Sequence, residues 1–246
     1  MIGPATTAVV TGGSSGIGAA TAQLLAYRGC QVLVVGRDAV ALAGVARRTG
    51  GRACTTDLAE PGAAARVLAE AGEVDLLVCN AGVGWAGQLT DMPGEALEQL
   101  VRTNLLAPMR LVREALPGML ARGRGHIVLV SSIAGSMSVA QEAVYSATKA
   151  GLDAFGASVR GEVAGRGVGV TIVVPGVVDT PFFARRGVPY ARHRPRPVPA
   201  GKVATALVAA VERGKAEVFV PRWLRLPARL RGSAPVLTDA LQRRFT

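Results

Sequence analysis

The sequence predicts an α/β domain in which a seven-stranded parallel sheet carries helices on both faces. Three observations predict it. Short, almost wholly apolar segments recur along the chain, as strands buried on both faces require. Helical stretches separate them, which is the pattern of right-handed β-α-β crossovers. A glycine-rich turn stands directly after the first apolar segment.

Ala8-Val9-Val10 forms the first strand, and a helix follows the glycine turn over 17–28. The second strand covers 31–35. A helix over 38–48 ends at Gly50-Gly51, and the third strand covers 53–56. Residues 61–71 form a helix with Pro61 early in its first turn, where its missing N–H costs nothing. The fourth strand is 74–79. Two helical stretches follow at 94–105 and 109–122, then a fifth strand at 126–130. A long helix spans 142–164, a sixth strand 168–174, a helix 202–213 and a seventh strand 218–220. This is a doubly wound, Rossmann-type layout. No linker or repeat interrupts it, so one domain is expected over 1–221, with a basic tail at 222–246. The segment 180–199 is long, rich in proline and arginine, and weakly periodic. Such loops in compact domains are usually functional, and this one reads as a lid.

Composition narrows the setting. Half of the 246 residues are hydrophobic and mean hydropathy is +0.34, but aromatics are only 4%, so the core is Ala, Val and Leu. No apolar run reaches the roughly 18 residues of a spanning helix. The start, Met1-Ile2-Gly3-Pro4-Ala5, lacks the charged region of a signal peptide, which points to a cytoplasmic protein. Cys30, Cys54 and Cys79 are isolated in strand-like surroundings and read as reduced core residues. His126 and His193 are far apart, so no metal constellation is expected. Net charge is +11, concentrated at Arg185, Arg186, Arg192, Arg194 and Arg196, and again at Arg222, Arg225, Arg229, Arg231, Arg243 and Arg244. The plain reading is a solvated basic surface. The sharper one is an anionic partner, such as a phosphorylated cofactor or an acidic lipid surface. Basic residues interleave with aromatics only in the tail, so nucleic acid is not expected.

Gly12, Ser14, Ser15, Gly16, Ile17 and Gly18 lie between a strand and a helix, where glycines let backbone approach a pyrophosphate at a helix N-terminus. At the end of the second strand Gly36 stands where an NAD site usually has an acid, and Arg37 follows. A guanidinium suits a 2′-phosphate, which favours NADP(H) over NAD(H). Asp38 reads as a helix N-cap. Asp57 is either another N-cap or an acceptor for the adenine amino group. Asn80, Ala81 and Gly82 follow the fourth strand on the same carboxyl edge, where small residues let the adenosine lie across the sheet.

Tyr145 and Lys149 are four apart on one helix, so their polar ends share a face. An adjacent ammonium lowers a phenol's pKa. Such a tyrosine can exchange a proton with a carbonyl or alcohol oxygen. Ser131 and Ser132 end the fifth strand and point to opposite faces, and spacing does not choose between them. Asn104 is either a satisfied helix amide or the anchor of a water leading to Lys149.

In this order, TGGSSGIG (11–18), Asp57-Leu58, NAG (80–82), Asn104, Ser132, YSATK (145–149) and PGVVDTP (175–181) resemble the short-chain dehydrogenase/reductase family over about 6–220. The resemblance selects Ser132 and implies a tetrad of Asn104, Ser132, Tyr145 and Lys149. Tyr145 would be the general acid/base and Ser132 the holder of the substrate oxygen. Lys149 would lower the tyrosine pKa and bind the nicotinamide ribose, and Asn104 would anchor a relay water. Leu58, Pro175, Gly176, Val178 and Thr180 join the cofactor contacts, Thr180 at the carboxamide. Cys79, where a second Asn often precedes NAG, is a departure. Trp85, Met137, Val139, Val177, Phe182 and Phe183 are the expected pocket walls, suited to a mostly apolar ketone or alcohol. The family habit of pairing through the long helix, with small Ala150, Ala154 and Ala157, implies a homodimer or homotetramer. The tail interleaves Trp223, Leu224, Leu226 and Leu230 with arginines. It reads as two amphipathic helices broken at Pro235, packed on the protein or a second subunit, or lying on an anionic membrane. The alternative function is a catalytically silent cofactor-binding protein on the same fold.

Overall fold

The computed structural model describes residues 2–190 and 195–233. Its strands are β1 (Thr7–Thr11), β2 (Gln31–Gly36), β3 (Arg52–Thr55), β4 (Leu76–Cys79), β5 (Gly125–Val130), β6 (Val168–Pro175), β7 (Val178–Asp179), β8 (Val198–Pro199) and β9 (Glu217–Val220). The helices are α1 (Gly16–Tyr27), α2 (Ala39–Thr49), α3 (Ala63–Ala71), α4 (Gly94–Val101), α5 (Ala107–Ala121), α6 (Ile133–Met137), α7 (Ala143–Glu162), α8 (Phe182–Arg185), α9 (Ala200–Glu212) and α10 (Arg225–Ser233).

Seven strands are parallel, as the pattern predicts, and they run in the order β3-β2-β1-β4-β5-β6-β9. Alternation sends neighbouring side chains to two cores. Val9, Leu77, Ile127 and Leu129 face α3, α5 and α7 with Leu111, Met119 and Leu152. Ala8, Val10, Val78 and Val128 face α1, α2 and α9 with Leu25, Leu42 and Leu207. Each fully buried Leu contributes about 2 kcal/mol by leaving water. Strand order reverses between β1 and β4, which pair at Val10↔Val78. Just beyond that switch point the carboxyl ends of the strands open the crevice where ligands of such sheets bind.

Several local departures from the sequence reading have physical reasons. The stretches expected at 94–105 and 109–122 are one run, because a π turn at Arg102–Leu106 joins α4 to α5. Pro61 stands ahead of its helix: α3 starts at Ala63 behind Gly62, whose φ of 75° lies outside the helical range, so the chain turns between Pro61 and the helix. The segment expected to form a lid contains α8, and the short β7–β8 pairing, Val178↔Val198, joins its end to β7. In the tail, Arg222–Leu224 is a single 3-10 turn, followed by α10. Leu224 is buried with Ile172, Val174 and Phe219, and Ala228 packs beside them. The second tail helix, expected beyond Pro235, lies outside the described residues. Cys30, Cys54 and Cys79 are buried free thiols.

Candidate active site

Thr11 organises the glycine turn. Its hydroxyl donates to Val78 O at 3.2 Å and accepts from the N–H groups of Asn80 and Ala81 at 2.9 and 3.0 Å. Asn80 Nδ2 donates to Thr11 O at 2.9 Å and Gly12 O at 3.3 Å. The NAG segment therefore props the turn in place from the neighbouring strand. A Cβ on Gly18 would lie 2.2 Å from Gly12 O, and one on Gly12, whose φ is +63°, 2.8 Å from Asn80 Nδ2. Ser15 is the N-cap of α1 in extended conformation, and its side chain makes no cap bond. The first-turn N–H groups thus face the crevice with backbone close at hand, which suits a pyrophosphate.

Other expected cofactor residues divide. Arg37 is exposed at the end of β2, and its Nη1 lies 3.6 Å from Asp57 Oδ2. Asp57 Oδ1 also accepts from Ala59 N at 2.9 Å in a turn ahead of α3, whose N-cap is Gly62, so Asp57 is not a helix N-cap. Asp38 caps α2, accepting from Ala41 N at 2.9 Å. The side chains of Leu58 and Val178 belong to the cores, and Ile17 packs against one. The buried side chains of Leu58 and Val178 leave only their backbones for a ligand. Pro175 pairs with Val220 in register, and Gly176 N donates to Val220 O at 2.8 Å. Thr180 Cγ2 lies 2.8 Å from where a Cβ on Gly16 would be, so the start of the lid rests on the glycine turn.

At the chemical end, helix α7 buries Tyr145 and Lys149 on one face. Ser132 caps α6, accepting from Ala134 N at 3.2 Å, and its hydroxyl lowers the pKa of the neighbouring Tyr145 phenol. Ser131 points the other way, donating to Lys149 O at 3.3 Å. Asn104 sits in the π turn. Its Oδ1 accepts from Val83 N at 2.8 Å and its Nδ2 donates to Val83 O at 2.9 Å. Pro108, four residues on, has no N–H, so the Asn104 carbonyl lacks its regular helical donor. Gly82 closes the group: a Cβ there would meet Asn104 Oδ1 at 3.4 Å and Lys149 Nζ at 3.7 Å.

One electrostatic expectation is corrected. Burial dominates Tyr145 and pushes its phenol up to about 12, while the Ser132 hydrogen bond and Arg186 pull it down. The Lys149 Nζ donates to Val130 O at 2.9 Å and lies over the tyrosine ring, 5.8 Å from the centroid. Burial brings Lys149 itself down to about 8, opposed by the carboxylate of Asp153.

The expected pocket walls are partly assembled. Trp85, Val139 and Phe182 pack around Tyr145 with Leu100, Met92 and Val144. Phe182 meets the Tyr145 ring at 5.5 Å between centroids. Phe183 instead stays within the lid, against Phe182 and Tyr190. Val177 bonds through its carbonyl to Val198 N at 2.9 Å, and Met137 ends α6. Beside Tyr145 lies a cavity of about 130 Å³ whose walls include Trp85, Leu89, Met92, Leu100 and Glu142. Sequence reasoning missed Leu89, Met92, Leu100 and Glu142. Glu142 forms a largely buried ion pair with Arg186 of the lid, and Arg186 also stacks on Phe183 at 4.6 Å.

A glycine turn at the switch point of a doubly wound sheet, facing a buried Tyr–Ser–Lys group, defines an oxidoreductase of the dinucleotide-dependent kind. The family model described as short chain dehydrogenase matches residues 6–189. The chain belongs to the short-chain dehydrogenase/reductase family. It is 37% identical over 249 residues to an uncharacterized oxidoreductase of Myxococcus xanthus, covering 97% of each chain. It is 36% identical to the 3-oxoacyl-[acyl-carrier-protein] reductase FabG of Escherichia coli, over 70% of this chain and 73% of that one. A solved short-chain dehydrogenase from Sphingobium yanoikuyae, in complex with NADPH, superposes with a TM-score of 0.84 at 28% identity, covering 94% of this chain and 96% of the other.

Proposed function

We propose that the protein is an NADP(H)-dependent reductase of mostly apolar ketones, which also oxidises the matching secondary alcohols. The observation that carries this reading is the meeting of Tyr145, Ser132, Lys149, Asn104 and Gly82 beside the phosphate turn. When bound, the nicotinamide supplies the hydride for reduction or accepts it in oxidation. Ser132 holds the substrate oxygen beside Tyr145. The buried phenol keeps its proton at neutral pH and donates it to that oxygen as charge develops there. Lys149 holds the nicotinamide ribose, and its ammonium stabilises the phenolate left behind. The Asn104 carbonyl, without a donor from Pro108, anchors the water that returns a proton. Thr180 meets the carboxamide and Asp57 the adenine.

Arg37 supports NADP(H). Its pair with Asp57 is long and exposed, a kind worth under about 1 kcal/mol, so the guanidinium is free to turn to a 2′-phosphate. The NADPH held by the Sphingobium relative agrees with that reading. The apolar walls around Tyr145, and the keto substrate in the name of the E. coli relative, support a ketone. Ala150, Ala154 and Ala157 are exposed along α7, which supports self-association through that helix.

The test follows nicotinamide absorbance with NADPH or NADH over a panel of apolar ketones. Turnover with NADPH, lowered by roughly 100-fold or more in Tyr145→Phe, is expected. Turnover untouched by Tyr145→Phe sinks the mechanism. Dinucleotide binding without turnover over a broad panel favours the silent binding protein.

A further inference from the structure

Two consecutive arginines leave the lid helix α8 in different directions. Arg186 is committed: its guanidinium is largely buried, ion-paired with Glu142 and stacked on Phe183 at 4.6 Å. Those contacts tie α8 to the start of the helix that carries Tyr145. Arg185 is exposed and reaches the other side of the crevice, where its Nη1 donates to Ser15 Oγ at 3.2 Å. Among the described residues no carboxylate lies within ion-pairing distance of Arg185. Ser15 is the N-cap of α1, and its hydroxyl is not used to cap that helix. The close approach of Thr180 to Gly16 fixes the base of the lid against the same turn. An uncompensated guanidinium is thereby held at the mouth of a turn whose backbone already suits an anion.

We propose that Arg185 is a ligand of the dinucleotide's pyrophosphate, delivered by the lid and aimed by the Arg186–Glu142 anchor. The proposal rests on the dinucleotide reading of the glycine turn. The pyrophosphate is common to NADPH and NADH, whereas the 2′-phosphate belongs to NADPH alone. Arg185 therefore serves both dinucleotides equally, and Arg37 discriminates between them. Replacing the Ser15 hydroxyl by a phosphate oxygen makes a charge-assisted bond from one already in place. Because the side chain is exposed, salt weakens its contribution.

Titration calorimetry of NADPH and NADH with the full chain, Arg185→Ala and Arg37→Ala tests this. Arg185→Ala is expected to raise both dissociation constants by a similar factor, roughly tenfold or more, and by less at high salt. Arg37→Ala should raise that of NADPH alone. Equal unfolding midpoints for Arg185→Ala and the parent chain keep the comparison clean. Dissociation constants within twofold of the parent for both ligands overturn the proposal. Loss confined to NADPH also overturns it, since Arg185 then serves the 2′-phosphate. A folded parent chain that binds neither dinucleotide defeats the dinucleotide reading, and this proposal with it.

Discussion

The glycine-turn half of the candidate site and the half formed by the expected lid, 180–199, are held by different means. Around the glycine turn the contacts are backbone-directed: Asn80 to Thr11 O and Gly12 O, Thr11 to the Asn80 and Ala81 N–H groups, and no room for a Cβ at Gly18. Across the lid the contacts are between side chains: Arg186 with Glu142, Phe182 with Tyr145, Arg185 with Ser15. Among the described residues, the backbone of that segment holds one turn of helix, α8, and a two-residue strand pair joins it to β7. Backbone contacts pre-organise a surface that need not move. Side-chain contacts can be broken and remade one at a time, which a lid over a substrate would require.

The largest expected effect tests the rigid half. Gly18→Ala drives a methyl to 2.2 Å from Gly12 O and 2.6 Å from Asn80 Nδ2. Backbone must shift, so a loss of about 2–3 kcal/mol in urea unfolding is expected. Dinucleotide affinity should fall by roughly 100-fold or more. A variant that binds and unfolds like its parent shows a turn that yields, and the contrast between the halves collapses.

That turn was legible in the sequence because its requirements are local. A strand, glycines and a helix start within about a dozen residues dictate one geometry. The parallel sheet was legible for a similar reason, since each apolar segment is followed by its own crossover. The Glu142–Arg186 pair was not legible. Its members are 44 positions apart, and in the sequence each is one charge among many. The Met92 and Leu100 walls were hidden in a loop and an ordinary amphipathic helix. Arg185 looked like the other lid arginines until its direction was known. The Tyr145–Lys149 spacing was right about the shared face but wrong about the phenol, because spacing carries no information on burial.

Where the halves meet, Lys149 gives the next effect. Its ammonium titrates near 8, against an ordinary 10.5. Reduction should therefore slow by roughly tenfold as pH rises through about 8, when the charge that assists Tyr145 is lost. Stability moves the other way. The unfolded chain holds this proton up to about 10.5 and the folded chain only to about 8, so folding gains stability between those pH values. Lys149→Met should abolish both trends. Opposed trends in a pH series of rate and urea midpoint identify Lys149; a rate that is flat across pH 8 removes it from the proton path.

Glu142→Gln tests the lid half. Stranding a buried guanidinium costs about 3–5 kcal/mol where nothing can move. Here Arg186 can swing into water with the lid, so global stability should change by less than about 1 kcal/mol. The loss should surface as lid opening instead. Trypsin is expected to cut after Arg185 or Arg186 at least about tenfold faster, read by mass spectrometry. Unchanged cutting with a large global loss would make the lid part of the core, and the two halves would no longer differ.

The smallest effect on catalysis lies furthest from both halves. Leu224 and Ala228 seat α10 against α6 and β9, but Trp223, Leu226 and Leu230 remain 58, 66 and 52% exposed among arginines. Exposed apolar side chains bordered by cations suit an anionic membrane surface, to which apolar burial and charge contribute together. Changing all three to Ser removes apolar area without touching the seat. Turnover should stay within about twofold and the unfolding free energy within about 0.5 kcal/mol. Sedimentation with phosphatidylglycerol vesicles should fall sharply relative to the parent. A parent chain that does not sediment, or a variant that sediments equally, removes the membrane from the account and leaves the exposed face to a second subunit. A loss of turnover would instead tie α10 to the site through α6, whose N-cap is Ser132, and the lid would then not be the only adjustable wall.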